Sequence, residues 1–537
     1  MTDAISTATP GKMPRQIPYI IGNEACERFS FYGMRNILTP FLVSTLLLYA
    51  PEADRAGMAK DVFHTFVIGV YFFPLLGGWL SDRFFGKYNT VLWFSLVYCI
   101  GHALLAIFED NRRGFYAGLF LIALGSGGIK PLVVSFVGDQ FDRTNKDKAK
   151  LVFDAFYWTI NFGSFFASLL MPIFLRQYGA AVAFGIPGVL MFIATVIFWL
   201  GRKQYVNVPP SAANPHSFLQ VVRTALTTRV SGQGNPGLVV AGIGALLALV
   251  SLLMIPQLGF VICACLALGA MIAFGGWGAS LQLERAREVH PADAVDGVRA
   301  VLRILIVFAL TTPFWSLFDQ KASTWILQGN QMQMPTWQWL SAAAPEGFRQ
   351  WLTAWFAEPA QMQALNPLFV MLLIPFNNLV LYPALRRLGF NPTALRKMGA
   401  GIALAGVAWI GAGLIQLAID GGAQLSIGWQ TLPYLLLTFG EVLVSATALE
   451  FAYSQAPQAM KGVIMAFWYL TSTFGSLWVL ITNATVRNPA VTARIADTGL
   501  SENAFLMFFF AGFAFLAAVA FAWYARRYPM QDHYRAV

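Results

Sequence analysis

Residues 23–35 read NEACERFSFYGMR, and the reading of this stretch governs that of the whole chain. Glu24, Glu27 and Arg28 stand at i, i+3 and i+4, which on a helix puts two carboxylates and a guanidinium on one face; Arg35, seven residues beyond Arg28, shares that face. They interrupt a segment, 18–48, that is otherwise apolar and long enough to cross a bilayer. A charge in such a place must repay a desolvation cost of at least about 2.5–3.5 kcal/mol. One Glu with one Arg would form a self-neutralising pair that only fixes helix packing. The second Glu is in excess, and an excess intramembrane carboxyl is the kind of group that takes up and releases a proton.

The rest of the chain supports the membrane reading. Its 537 residues are 57% hydrophobic, 15% aromatic and only 12% charged, about half the charged content of a soluble domain, and the mean hydropathy is +0.59. At about 20 residues per crossing there are fourteen candidate spans: 18–48, 63–81, 88–108, 114–137, 152–175, 181–201, 236–255, 258–280, 300–326, 365–385, 397–419, 429–452, 460–483 and 503–525. The expected class is therefore an all-α polytopic membrane protein with both ends on one side. Basic residues gather in alternate connectors: Lys12 and Arg15; Arg83 and Lys87; Arg143, Lys146, Lys148 and Lys150; Arg202 and Lys203; Arg285 and Arg287; Arg386, Arg387, Arg396 and Lys397; Arg526 and Arg527. This predicts cytoplasmic termini in an inner, plasma membrane. The connector 327–364 has Arg349 as its only basic residue and suits the opposite face, while Arg112, Arg113, Arg487 and Arg494 run against the pattern. The net charge of +10 is read as topology, with no nucleic acid as partner. Cys26, Cys99, Cys263 and Cys265 lie in apolar runs and suggest neither a disulfide framework nor a metal site.

The stretch 202–235 is rich in Pro, Ser and Gly and interrupts the apolar pattern; it reads as a cytoplasmic linker. Segment 236–282 follows as an inserted helical hairpin built largely of Ala, Gly, Leu and Val. Setting it aside leaves a six-helix bundle in 1–201 and another in 283–537, the arrangement of a two-bundle transporter with a midplane site. Other charges fall inside the spans: Lys130 in GSGGIKP, Asp319 in FWSLFDQ, and Glu441 and Glu450 in GEVLVSATALE. A Lys130–Asp319 salt bridge between the halves would close one side of a central cavity, and protonating Asp319 or drawing Lys130 to an anion would release it. Glu450, near a helix end, reads as a snorkelling or capping residue. Of the two intramembrane histidines, His102 reads as a packed group, while His64, near a helix end, is a candidate proton carrier.

GNEACERFSFYGMR resembles the ExxERFxYY signature of the proton-coupled oligopeptide transporters, a branch of the major facilitator superfamily, with Phe31 where the first tyrosine is usual and Tyr32 kept. GGWLSDRFFGK at 77–87, GSGGIKP at 125–131, FYWTINFGS at 156–164, FWSLFDQKAS at 314–323, GEVLVSATALEFAYSQAP at 440–457 and AFWYL at 466–470 are similar to further motifs of that family, in the same order. The resemblance implies the major facilitator fold, two six-helix bundles plus two inserted helices. It implies proton-driven import of di- and tripeptides by alternating access, functional as a monomer, with protons as coupling ion and no cofactor. For such a substrate Arg35 and Lys130 would take the carboxylate, Glu441 the ammonium, and Asn161 and Asn366 the backbone. Tyr32, Tyr71, Tyr157, Trp315 and Trp468 would line the side-chain pocket, and Glu24, Glu27, Arg28, Asp319 and His64 would couple the proton. Carriage of nitrate or another small anion on the same fold is the rival reading, against which Glu441 argues. An intramembrane enzyme lacks its motifs here, with no HExxH, no GxSxG and no cysteine paired with a histidine.

Overall fold

A computed structural model describes residues 12–141, 145, 148–210, 214–230, 232–340, 343–455 and 460–529. Arg143 and Lys146 lie outside the described residues, as do the side chains of Lys150 and Glu450. Among the described residues there is no strand, only an isolated bridge between Gln333 and Ser426.

Five long helices come first: α1 Ile17–Phe41, α2 Glu52–Leu80, α3 Gly86–Ile107, α4 Arg112–Asp139 and α5 Ala149–Leu200. A short helix, α6 Phe218–Thr227, leads to the hairpin α7 Pro236–Leu253 and α8 Phe260–Leu281. Then follow α9 Ala292–Asp319, α10 Glu346–Trp355, α11 Leu365–Phe376, α12 Ala394–Asp420, α13 Thr431–Ser454, α14 Lys461–Val486 and α15 Glu502–Ala525. Local chemistry sets several starts. Proline occupies the first turn of α1 and α7, where its missing N–H costs nothing. The side chains of Asn235 and Ser501 accept from the exposed backbone N–H groups of α7 and α15.

Each of the fourteen expected segments falls on a helix. Among the described residues, eleven stretches are long and apolar enough to cross a membrane; two of them, Glu52–Ile107 and Leu151–Lys203, each hold two helical arms, and α1, with its four charged residues, is not among them. The arms of α5 part at Gly179, whose φ of +81° is a conformation glycine adopts without strain. α2 starts at Glu52 rather than 63, so Lys60 and Asp61 lie within it.

The described chain forms two compact units. The first takes its residues from Met1–Arg55, Phe72–Ser211 and Met334–Met371, the second from Ala56–Tyr71, Ala212–Gln333 and Leu372–Val537. In the first, the GSGG of α4 lets α2 and α3 press against its backbone: a Cβ on Gly127 would lie 2.5 Å from Phe73, and one on Gly128 2.1 Å from the Phe94 ring. In the second, Gln282 accepts from Gly237 N at 3.0 Å and donates to Ala225 O at 2.7 Å, tying the hairpin to α6. A line of buried glutamines crosses the same unit, Gln430 donating to Gln328, Gln328 to Gln416 and Gln416 to Gln331, each at 3.1 Å.

Candidate functional site

The first unit carries the excess acid. Glu24, Glu27, Arg28 and Arg35 are all buried, and Arg28 Nε lies 2.9 Å from Glu24 Oε1 and 2.5 Å from Glu27 Oε2. The spacing in the sequence thus does what helical geometry requires, and one guanidinium serves two carboxylates. α5 comes close to α1 beside Arg28: a Cβ on Gly163 would meet Ala25 O at 3.3 Å and Arg28 Cβ at 3.7 Å. Lys130 is buried on α4 with its Nζ 3.5 Å from the centre of the Phe31 ring. The residue that departs from the usual tyrosine therefore still offers a ring face to a cation. Asn161 is buried and donates to its own helix at Tyr157 O, 3.0 Å away. Tyr157 is exposed, and Tyr32 and Asn366 are half-buried in the same unit. His102, fully buried, is hydrogen-bonded through Nε2 to Ser30 Oγ at 3.1 Å, in keeping with a packed histidine.

The second unit holds His64, Tyr71, Trp315, Asp319, Glu441 and Trp468. His64 is fully buried, its Nδ1 3.2 Å from Ser476 Oγ and its Nε2 3.1 Å from Ser323 Oγ. A neutral imidazole has one donor and one acceptor, and two hydroxyls meet both. Ser323 lies just past Asp319, the buried last residue of α9. The Trp315 and Trp468 rings meet edge-on with centroids 5.7 Å apart, beside a contact between α9 and α14 so tight that a Cβ on Gly475 would lie 2.6 Å from Trp315 Cβ. Tyr71 stacks with Tyr469 at 6.3 Å. Glu441 is half-buried on α13. Lys130 and Asp319, the expected gate, belong to different units.

Several charged residues escape the sequence reading. Lys60 is buried on α2, and Asp61 beside it accepts from Asn483 Nδ2 at 3.1 Å and pairs with Arg487. That ion pair neutralises one of the arginines that ran against the charge pattern. Arg112, another, lies 3.9 Å over the Tyr49 ring. Lys321 is buried with its Nζ 3.2 Å from the centre of the Phe318 ring. The start of α2 carries a signal that would have found Lys60 and Asp61: Pro51 followed by Glu52 and Asp54 in a first turn.

With helices throughout the described residues, eleven stretches there long and apolar enough to cross a membrane, and buried carboxylates on the first helix, the chain has the build of a polytopic membrane protein that keeps charge in its interior. It matches the POT family over residues 88–499 and belongs to that family. It is 32% identical over 422 residues, 76% of its length, to solute carrier family 15 member 2 of Mus musculus, and 31% identical over the same share to peptide transporter 3 of Caenorhabditis elegans. The chain spans about half the length of the curated relatives it matches, 50% and 51% here. Among solved structures it is similar to the POT family transporter PepTSo, with 67% identity and a TM-score of 0.92 over 98% of this chain and 100% of that one. The major facilitator fold expected from the sequence is thereby shown.

Proposed function

We propose that the chain is a proton-driven symporter that imports di- and tripeptides by alternating access, working as a monomer with both termini cytoplasmic and with no cofactor but the coupling proton. The observation that carries this is the α1 triad, two buried carboxylates on one arginine, in a chain whose relatives include a peptide transporter. A peptide presents a carboxylate, an ammonium and a backbone at fixed spacing while its side chains vary. Arg35 and Lys130 bind the carboxylate, Glu441 the ammonium, and Asn161 and Asn366 the backbone; Tyr32, Tyr71, Tyr157, Trp315 and Trp468 wall the variable part. An extended tripeptide reaches only about 10 Å at 3.3–3.6 Å per residue, so gripping both ends limits length. Glu24, Glu27 and Arg28, with Asp319 and His64, carry the proton.

One elementary charge is worth about 2.3 kcal/mol per 100 mV and a tenfold ratio about 1.36 kcal/mol, so one proton sustains roughly fifty-fold accumulation at that voltage. The test is uptake of labelled dialanine into proteoliposomes under an imposed proton gradient. Accumulation of unaltered dipeptide that a protonophore abolishes supports the proposal; uptake indifferent to the protonophore, or hydrolysis of the label, overturns it.

A further inference from the structure

The segment Met334–Met371 of the first unit contains α10, EGFRQWLTAW, whose apolar residues Phe348, Trp351, Leu352 and Trp355 recur at i, i+3, i+4 and i+7 and form one stripe. Phe348 and Trp351 are about half exposed and stack on each other with centroids 5.8 Å apart; Trp351 meets Trp355 at 5.7 Å. Exposed stacked aromatics on a short amphipathic helix are the pattern of an element lying flat in a membrane interface. The flanking chain agrees, because a candidate span begins at Pro359, four residues past the helix end.

The opposite side of α10 carries Glu346, Arg349, Gln350 and Thr353. These residues, with Thr336, Gln338 and Arg176 near the end of the first arm of α5, line a cleft of about 520 Å³. Its two arginines are not equivalent. Arg176 is satisfied: Nη1 lies 3.2 Å from Glu358 Oε1 and Nη2 donates to Ala354 O at 2.7 Å. Arg349 forms no ion pair among the described residues, and its buried Nε has no hydrogen-bond partner there. Glu346, on the exposed rim, accepts from Gln350 at 3.2 Å instead. A guanidinium without an ion pair among the described residues, set among hydroxyls and amides beside a candidate span, suits one planar or tetrahedral oxyanion.

We infer that this cleft binds the phosphodiester head group of an anionic glycerophospholipid, with Arg349 as the charge partner. A phosphodiester carries a single negative charge, matching the one cleft guanidinium without an ion pair among the described residues, and its acyl chains would pass around the helix that bears the arginine to the aromatic stripe on its other side. A free phosphate or carboxylate has no use for that stripe.

Native mass spectrometry of the full chain in detergent tests this, with dioleoyl phosphatidylglycerol, dioleoyl phosphatidylcholine and inorganic phosphate as separate arms. The wild type is expected to retain phosphatidylglycerol over phosphatidylcholine by about fivefold or more, the worth of one Lys or Arg contact at an anionic surface. Arg349→Gln should abolish that preference, and Thr353→Val, which keeps every charge, should weaken it. Thermal unfolding of each variant establishes that it is folded; if Arg349→Gln does not fold, Arg349→Lys replaces it and should lose preference because the fork is gone. Equal retention of the two lipids by wild type, an unchanged preference in folded Arg349 and Thr353 variants, or displacement of the lipid by millimolar phosphate would each overturn the assignment.

Discussion

The ammonium of Lys130 sits 3.5 Å from the centre of the Phe31 ring, joining α4 to α1 about one turn of helix past Arg28. A desolvated cation–π contact is worth about 2 kcal/mol. Phe31→Leu, which keeps apolar bulk but removes the ring, should therefore lower the thermal unfolding temperature in detergent, whereas Phe31→Tyr should leave it unchanged. Equal unfolding temperatures for wild type and Phe31→Leu would mean that the ring does not hold the ammonium.

Glu24→Gln and Glu27→Gln should each abolish gradient-driven peptide uptake while sparing part of the exchange of peptide for peptide, because exchange need not release a proton. Counterflow and gradient-driven uptake in the same proteoliposomes separate the two. Full accumulation by either mutant would remove that glutamate from proton coupling.

Arg35→Ala and Glu441→Ala should act on opposite ends of the ligand. The first is expected to lose discrimination against peptides amidated at the C-terminus, the second against those blocked at the N-terminus, each read from competition with labelled dialanine. Identical responses to the two blocks would refute the proposed orientation.

Ser323→Ala and Ser476→Ala each leave one nitrogen of buried His64 without its hydroxyl. A lost hydrogen bond costs about 0.5–1.5 kcal/mol, so both variants should unfold at lower temperature. Loss on only one of them would identify which ring nitrogen depends on the serine.

Burial raises the Glu358 carboxyl above its usual 4.5, and Arg176 only partly opposes this. A carboxyl whose folded value is raised contributes stability that is fully present below its ordinary value and is lost as pH rises through the folded one. Thermal stability followed from about pH 4 upward should show this decline in the wild type, and Glu358→Gln should flatten it. A wild-type curve that rises over the same window would contradict the sign.

Much of the architecture was legible because bilayer thickness fixes span length, and the α1 triad was legible because i, i+3, i+4 spacing is a property of any helix. Lys60 and Asp61 were missed because an apolar window finds only the greasy middle of α2, although its first turn lies at Glu52. The serines that hold His64 are 259 and 412 residues from it, and the glutamines that bind Gln328 are 88 and 102 residues away. Pairings of that kind arise from packing and leave no periodic trace in one sequence.

At Gly163 the main chain of α5 rests on α1 beside Arg28, and a main chain has no rotamers. A side-chain lid over the carboxylates would flicker open in picoseconds to nanoseconds, whereas helices move against each other in microseconds to milliseconds. Under the proposed coupling, a proton held by the triad could leave past Gly163 only as slowly as a helix shifts. The wall at that point would then set a clock on the ion as well as a barrier to it.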